Sequence, residues 1–392
     1  VSTFWRQVYI HLLNVSKLPW SLKLLSIHLK SVLHLFKYAV TSPPPLATRS
    51  RMALRLPMAL RSVTNCLLKS VAEGEVEPKV SSICSCLIST GLLAKSFKVF
   101  IDQTLLTEVT NLVDNPNILV AQFDKSYLKL PPEVIRSTLQ THQRYFTLVD
   151  HRDRISNNFI VVANKKDEKK VIKVGNERVV DARLSDASFF WEKDKSLNLI
   201  KQINKLKEIT FYENLGSIYD KTQRLRKMAY FISDQLDIKK EKLEIASSIC
   251  KSDLVSGLVG EFPELQGIMG KYFAANQGFE EDVSRAVSEH YLPISISSTV
   301  PKKPISYGLS IIDKLDTLVG FFLINEKPTS SKDPFALRRS AIGLLRTIIE
   351  NNLTVGLGDL IDYLIRFYTE QGVNDVNKNT HLELINFFRD RM

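Results

Sequence analysis

Acidic residues are scarce at the start of this chain of 392 residues: Glu73 is the first, with Glu75 and Glu77 close behind. The net charge of +11 is therefore almost wholly N-terminal. Total charge gives no reason to expect a polyanion partner for the remainder. Cysteine is sparse: Cys66, Cys84, Cys86 and Cys250 form no paired CxxC sets and have no matching histidine spacing. Zinc ligation and a disulfide framework are disfavoured, and free thiols in a reducing compartment fit better. The longest uncharged N-terminal run, Val80 to Ala94, is rich in serine and cysteine and shorter than the roughly 20 apolar residues of a membrane span. No histidine is followed by aspartate, and His290 and His381 are isolated. Gly270-Lys271 is no phosphate loop, because Leu265 and Tyr272 stand where glycine and Ser/Thr are needed.

The length suffices for two or three domains. Residues 1–100 form an atypical basic segment, Leu- and Ser-rich, with a proline run at Pro43 to Pro45. Three readings stay open: a transit peptide, an ordered N-terminal domain, or a shifted reading frame upstream of an intact one. The third is preferred, since no sustained amphipathic period supports the first, and it predicts poor packing over residues 1–95.

Residues 101–194 read as an α+β domain. Leu105, Leu106, Val109, Leu112 and Val113 recur at helical spacing before Asp114-Asn115-Pro116 ends the run. Ile118 to Asp124 reads as a short buried strand. Pro132 opens a helix through Val134, Ile135 and Leu139. YFTLVD and NNFIVVAN, on either side of HRDRIS, predict a hairpin, with Tyr145 and Phe146 beside Arg144 able to stack on a base or, by default, to pack in the core. Residues 195–392 read as almost all helix. Ile218, Thr222, Leu225, Ala229, Ile232 and Leu236 make one apolar stripe, flanked by a row of Lys221, Arg224 and Lys227 that could hold phosphates or simply be solvated. Ala246, Cys250, Asp253 and Gly257 share a face, so Asp253 needs a partner that Lys251 does not supply. Asp333 and Pro334 start a helix as N-cap and first residue, burying Leu337, Ala341, Leu344 and Ile348, with Arg338 on its apolar edge and Arg339 outside.

The chain's densest stretch runs from Ile172 to Asp194. Gly175-Asn176 reads as a turn with Asn176 as N-cap, Val179, Ala182 and Phe190 facing inward, and Arg178–Asp181 and Arg183–Asp186 placed to pair. This stretch resembles the GNERV-x-x-ARLSDA-x-FF signature of the beta subunit of bacterial heterotetrameric glycyl-tRNA synthetase. HQRYF (His142 to Phe146) precedes it. LGS-x-x-DK-x-x-R (Leu215 to Arg224), EFPELQGIMG (Glu261 to Gly270), EHYLP (Glu289 to Pro293) and SKDPFALRR (Ser331 to Arg339) follow in the family's order. The resemblance covers residues from near Thr104 to the C-terminus and identifies the family.

The resemblance implies an α+β, predominantly helical protein: a small antiparallel-sheet domain, then an all-α domain like HD-type phosphohydrolases. With no His-Asp pair that domain would be a scaffold without a metal site, which disfavours a rival reading as an HD-type hydrolase. The family continues into an anticodon-binding domain, and this chain ends at Met392 inside an apolar helical pattern, so a truncated product acting at most as an interaction or RNA-binding protein is the alternative. No HIGH-like or KMSKS-like pair and no class II arginine set occur, and Gly356 and Gly358 lack the arginine that follows such glycines. The implied role is a cytoplasmic subunit of glycine–tRNA ligase with no catalytic residue, no metal and no cofactor of its own. It would bind tRNA(Gly) and the alpha subunit in an alpha2-beta2 heterotetramer, and the complex would use ATP with magnesium. Arg144, Asn176, Arg178, Arg183, Lys221, Arg224, Arg338 and Arg339 lie in the motifs and are the expected tRNA or subunit contacts.

Overall fold

The computed structural model describes residues 97–329, 331–373 and 377–391. The reading of residues 1–95 lies outside these. The chain divides into two compact units. Among the described residues, one holds 97–122 and 144–176, and the other 123–143 and 177–391. This differs from a boundary at residue 194, because Phe123–Gln143 and the long signature helix from Glu177 onward count with the helical unit.

The smaller unit is an antiparallel sheet with a helix. Strands β1 (Lys98–Val99), β2 (Asn117–Gln122), β3 (Phe146–Val149) and β4 (Ile155–Ala163) lie in the order β1-β3-β4-β2. Asp102 caps helix α1 (Gln103–Leu112), accepting from the amides of Thr104 at 2.8 Å and Leu105 at 3.1 Å. α1 presses Leu105, Leu106 and Val109 onto Phe146, Leu148 and Ile160, and Val113 joins them. Leu112, expected in that face, sits on its flank and is exposed. The predicted hairpin is β3–β4, pairing Phe146 with Ile160. Asp150 staples its loop by accepting from the Arg152 and Arg154 amides at 2.8 and 3.0 Å. The Arg154 amide bond first, then the Arg154 guanidinium and the Arg152 amide, hold its carboxyl down at about 2 against the cost of desolvation. β2 is an edge strand, which is why only Ala121 of it is fully buried and the expected buried strand is half-exposed. Tyr145 stacks on Phe159 at 5.3 Å, a core role.

In the larger unit a 3-10 turn (Lys125–Lys129) leads into the short helix α2 (Pro132–Arg136), which widens into a π-helical turn over Ser137–His142. Helix α3 (Val171–Asp194) carries the signature. The helices that follow are α4 (Leu199–Gln202), α5 (Ile218–Leu236), α6 (Lys240–Ile249), α7 (Gly257–Glu261), α8 (Ile268–Asn276), α9 (Glu281–Glu289), α10 (Pro304–Leu323), α11 (Leu337–Glu350), α12 (Leu357–Glu370) and α13 (Thr380–Arg389). A two-stranded ribbon, β5 (Thr210–Tyr212) with β6 (Gly216–Ser217), precedes α5. Ser217 and Asp220 then close a reciprocal capping box.

The unit is built around α10. It is buried on all sides, as expected of a helix apolar around most of its circumference. α5, α6, α9, α11, α12 and α13 all pack on it. Gly320 makes the closest approach possible: a Cβ there would stand 2.3 Å from the Tyr368 hydroxyl of α12. Among the described residues no helix is long and apolar enough to cross a membrane.

Candidate functional site

α3 starts earlier than the sequence suggests. Asp167 supplies the cap, accepting from the Ile172 and Lys173 amides at 3.0 and 2.7 Å. Asn176 is therefore inside the helix and is no N-cap. Its Nδ2 donates to the Ile172 carbonyl at 2.6 Å and its Oδ1 accepts from the Tyr145 hydroxyl. The buried face is Val180, Leu184, Ala187 and Asp194, while Val179 and Ala182 point outward. Each helical residue turns the face by about 100°, so a one-residue error in phase moves the face by more than a quarter turn and carries some of its residues into solvent. At the far end, Phe190 packs on Gly257, where a Cβ would approach the ring at 2.4 Å and force a shift. Trp191 stacks on Phe273 at 6.0 Å. Asp194 accepts from the Leu258 amide at 2.7 Å in the first turn of α7.

Within the larger unit, three motifs converge on Arg183. Its guanidinium pairs with Glu261, reaches His142 Nδ1 at 2.9 Å and lies 5.6 Å from the Phe262 ring centre. His142 Nε2 meets Glu264 at 2.9 Å, and Ser137 donates to the same carboxylate. Arginine has only donors, so Nδ1 must present its lone pair and Nε2 must carry the proton donated to Glu264. Burial pushes the Glu264 carboxyl up, but the Ser137 and His142 hydrogen bonds outweigh it and hold the group below its ordinary range. Ser137 donates to the Glu264 carboxylate that His142 also meets, so the cluster ties three chain segments together. The expected Arg183–Asp186 pairing gives way to Glu261, because the guanidinium reaches across to α7.

The row expected on α5 folds inward. Arg224 is fully buried. It grips Asp316 of α10 with two bonds, Nε at 2.6 Å and Nη2 at 3.2 Å, and also reaches Gln371 at 2.6 Å and Tyr368 at 3.0 Å. Lys221 spends its protons on the Asp313 carbonyl at 3.2 Å, Asp316 at 3.1 Å and Thr317 at 2.8 Å. Lys221 and Arg224, expected to hold phosphates, are instead buried and paired within the chain, Arg224 through four of its five N–H donors. Only Lys227 is exposed, paired with Glu370 at 2.7 Å.

A second buried group adjoins it. Lys251 donates to His290 Nε2 at 2.8 Å and to Asp313 at 3.3 Å. His290 Nδ1 donates to the Val287 carbonyl at 2.8 Å, so this ring is neutral with its Nε2 lone pair on the ammonium. Burial and the facing Lys251 push its pKa well below the usual histidine value. Burial also lowers Lys314 to about 8, with Asp313 opposing. Burial would raise Asp313, but Lys221 and Lys251 hold it well below the ordinary carboxylate range.

Asp253 lies in a 3-10 turn after α6. Its partners are the Gly267 and Gly270 amides, at 2.6 and 3.1 Å, and its Oδ1 is buried without one. Among the described residues no group of three or more His, Cys, Asp or Glu could hold a metal ion.

The other expected contacts are nearer the surface. Arg144 has φ +59° and pairs with Glu108. Arg178 and Arg339 are exposed. Arg338 is half-buried, donating to the Thr329 carbonyl. Its helix starts at Leu337, later than Pro334. Asp333 still caps it, accepting from the Leu337 and Arg338 amides at 2.8 and 3.0 Å. Of the expected buried face Ile348 is only half-buried. Of the six expected residues in the larger unit, Arg183, Lys221 and Arg224 are held in intrachain pairs, and Arg178 and Arg339 are exposed. One feature escaped sequence reasoning: a groove of about 490 Å³ lined by Arg226, Lys227, Tyr230, Phe231, Lys240 and Phe367 among others. The Arg226-to-Tyr230 spacing of four was its only trace.

Comparison with known proteins agrees across most of the chain. A sequence model of the glycyl-tRNA synthetase beta subunit matches residues 80–392. A glycine–tRNA ligase beta subunit of Clostridioides difficile is 43% identical over 300 residues, which is 75% of this chain and 43% of that protein. The corresponding protein of Janthinobacterium sp. is 38% identical over 292 residues, 74% of this chain and 41% of its own length. That of Rhodospirillum centenum is 43% identical over 261 residues, 65% and 37% respectively. The chain spans about two fifths of the length of these curated relatives.

Proposed function

Because the chain belongs to the glycyl-tRNA synthetase beta-subunit family, we propose that it serves as a non-catalytic part of glycine–tRNA ligase, binding tRNA(Gly) and a catalytic alpha subunit. In this reading ATP with magnesium acts on the alpha subunit, in an alpha2-beta2 complex in the cytoplasm. The products are glycyl-tRNA(Gly), AMP and pyrophosphate. One observation supports it above the rest: the fold sorts the basic motif residues. Arg183, Lys221 and Arg224 are consumed by intrachain pairs, whereas Arg178 and Arg339 stand exposed with no ion pair among the described residues.

The first test is glycylation of tRNA(Gly) by this chain with the alpha subunit, against alpha alone. Charging above the blank is expected. A folded chain that binds neither tRNA(Gly) nor alpha would sink the reading. Arg178→Ala and Arg339→Ala should each weaken tRNA binding and lower its salt slope by about 1, the signature of one lost phosphate contact. An unchanged slope in both would assign these arginines to the partner subunit.

A further inference from the structure

The groove between α5, α6 and α12 is not used by anything described above. Arg226, Lys227 and Lys240 face it, against Glu244 as its one acidic lining residue. Its floor is aromatic: Phe231 stacks on Tyr363 at 3.8 Å and lies near Phe367 at 6.0 Å. Tyr230 rises at its edge and is 56% exposed. The Lys240 ammonium rests 2.8 Å from the Tyr230 ring centre, and the Lys227 ammonium 4.6 Å from that of Phe367.

The cations are only lightly committed. Arg226 pairs with Glu244 at 2.9 Å and Lys227 with Glu370 at 2.7 Å, with all four side chains between two fifths and one half exposed. Such surface pairs contribute little and exchange readily for a stronger anion. The Arg226 Nε is buried and has no acceptor. Aromatic faces beside exchangeable cations are what an unpaired nucleotide needs. A base stacks on a ring, and its phosphates take the ammonium and guanidinium groups. The volume falls within the range of about 300–1,000 Å³ that suits such a ligand.

We propose that this groove binds an unpaired segment of RNA, with Tyr230 as the stacking platform and Arg226 and Lys240 as the phosphate contacts. The proposal rests on the reading of the chain as a tRNA-binding subunit and names a place on it. A phosphate drawing Lys240 off the ring exposes the Tyr230 face to a base. Lys227 is the one member of the α5 basic row whose side chain stays at the surface to take part.

The test measures binding of the full chain to tRNA(Gly) and to a labelled unstructured oligoribonucleotide of about eight nucleotides, within the site size of such grooves. Tyr230→Ala should weaken oligoribonucleotide binding about five- to a hundredfold, the effect of losing one stacked base. Tyr230→Phe should restore it. Arg226→Ala with Lys240→Ala should lower the salt slope by about 0.7 per lost contact. Tyr230 is exposed, so the variant's thermal midpoint should match the parent's and certify its fold. If the parent binds tRNA(Gly) while the alanine variants bind both RNAs as the parent does, the groove assignment is overturned and the tRNA-binding reading stands. If the parent binds no RNA, both fall. ATP competing as well as the oligoribonucleotide would assign the groove to a free nucleotide instead. Loss of alpha-subunit binding alone would make it a protein interface. Either result overturns the proposal.

Discussion

Arg224→Ala is expected to destabilise the protein by about 3–5 kcal/mol, the usual loss when one partner of a buried ion pair is removed. Asp316, fully buried, would keep only Lys221 as its cation. Gln371 and the Tyr368 hydroxyl would each lose a donor. For a unit of this size the thermal midpoint should fall by about 10 °C. The double change Arg224→Met with Asp316→Leu should cost less than the single one, because both charges of the pair are removed together and Lys221 keeps the Asp313 carboxylate at 3.2 Å. Thermal unfolding of the three chains decides the matter. An unchanged midpoint together with lost tRNA binding would place Arg224 on an RNA surface and contradict its interior position. The pH dependence has a definite sign. Burial pushes Asp316 up, but Arg224 and Lys221 hold its carboxyl below the ordinary value. Its contribution is therefore present above the unfolded carboxylate pKa of about 3.9 and is lost as pH falls through the lower folded value. Neutral pH should not reveal it; acid unfolding should.

Asp253→Asn should have the opposite sign. Burial raises the Asp253 carboxyl to about 6, although the Gly267 and Gly270 amides pull it down. A folded pKa above the unfolded one makes the proton stabilising. The benefit is complete below about pH 4 and is lost as pH rises through 6. At pH 8 the native chain carries this strain, on the order of 3 kcal/mol for a shift of about two units. An asparagine can still accept from both amides without ionising. Its NH2 group must then sit where the Oδ1 now lacks a partner, which reduces the gain. Asp253→Asn should therefore be more stable than the parent at pH 8 and about equal to it near pH 4. Asp253→Ala should be less stable at every pH, because two buried amides lose their acceptor. Urea unfolding at the two pH values is the measurement. Equal parent and Asn stabilities at both would show that the carboxyl titrates normally.

Both effects involve residues whose surroundings the sequence did not disclose. The partner of Arg224 lies 92 residues away on α10. The amides serving Asp253 come from 14 and 17 residues further on. A basic row at helical spacing looks the same in a sequence whether it meets solvent or an opposing carboxylate, since charge is local and burial is not. The α3 face shows a related limit. Its charged residues are spread around the helix, so apolar spacing put Val179 and Ala182 on the wrong side, and the aromatic end docks on Gly257. By contrast, α1, the β3–β4 hairpin and most of the α5 stripe were legible, since an apolar period of 3.6 or 2 leaves one face to bury.

Sequence sufficed for whatever depends on neighbours in the chain: the helical majority, the hairpin, the Asp333 cap and the ordered motifs that mark the family. Tertiary structure decided which charges are interior, since a buried cation is tolerable only where a distant carboxylate meets it. It made α10 the centre of the helical unit. The sequence pointed to the charged stretch at α3, because the charges that α10 carries on its mostly apolar surface, Asp313, Lys314 and Asp316, meet their partners only in the folded unit. It also brought Arg183, His142 and Glu264 together from three separate motifs. Each of those side chains could equally have faced solvent, and only the packing of α3 against the elements around it satisfies them as one set.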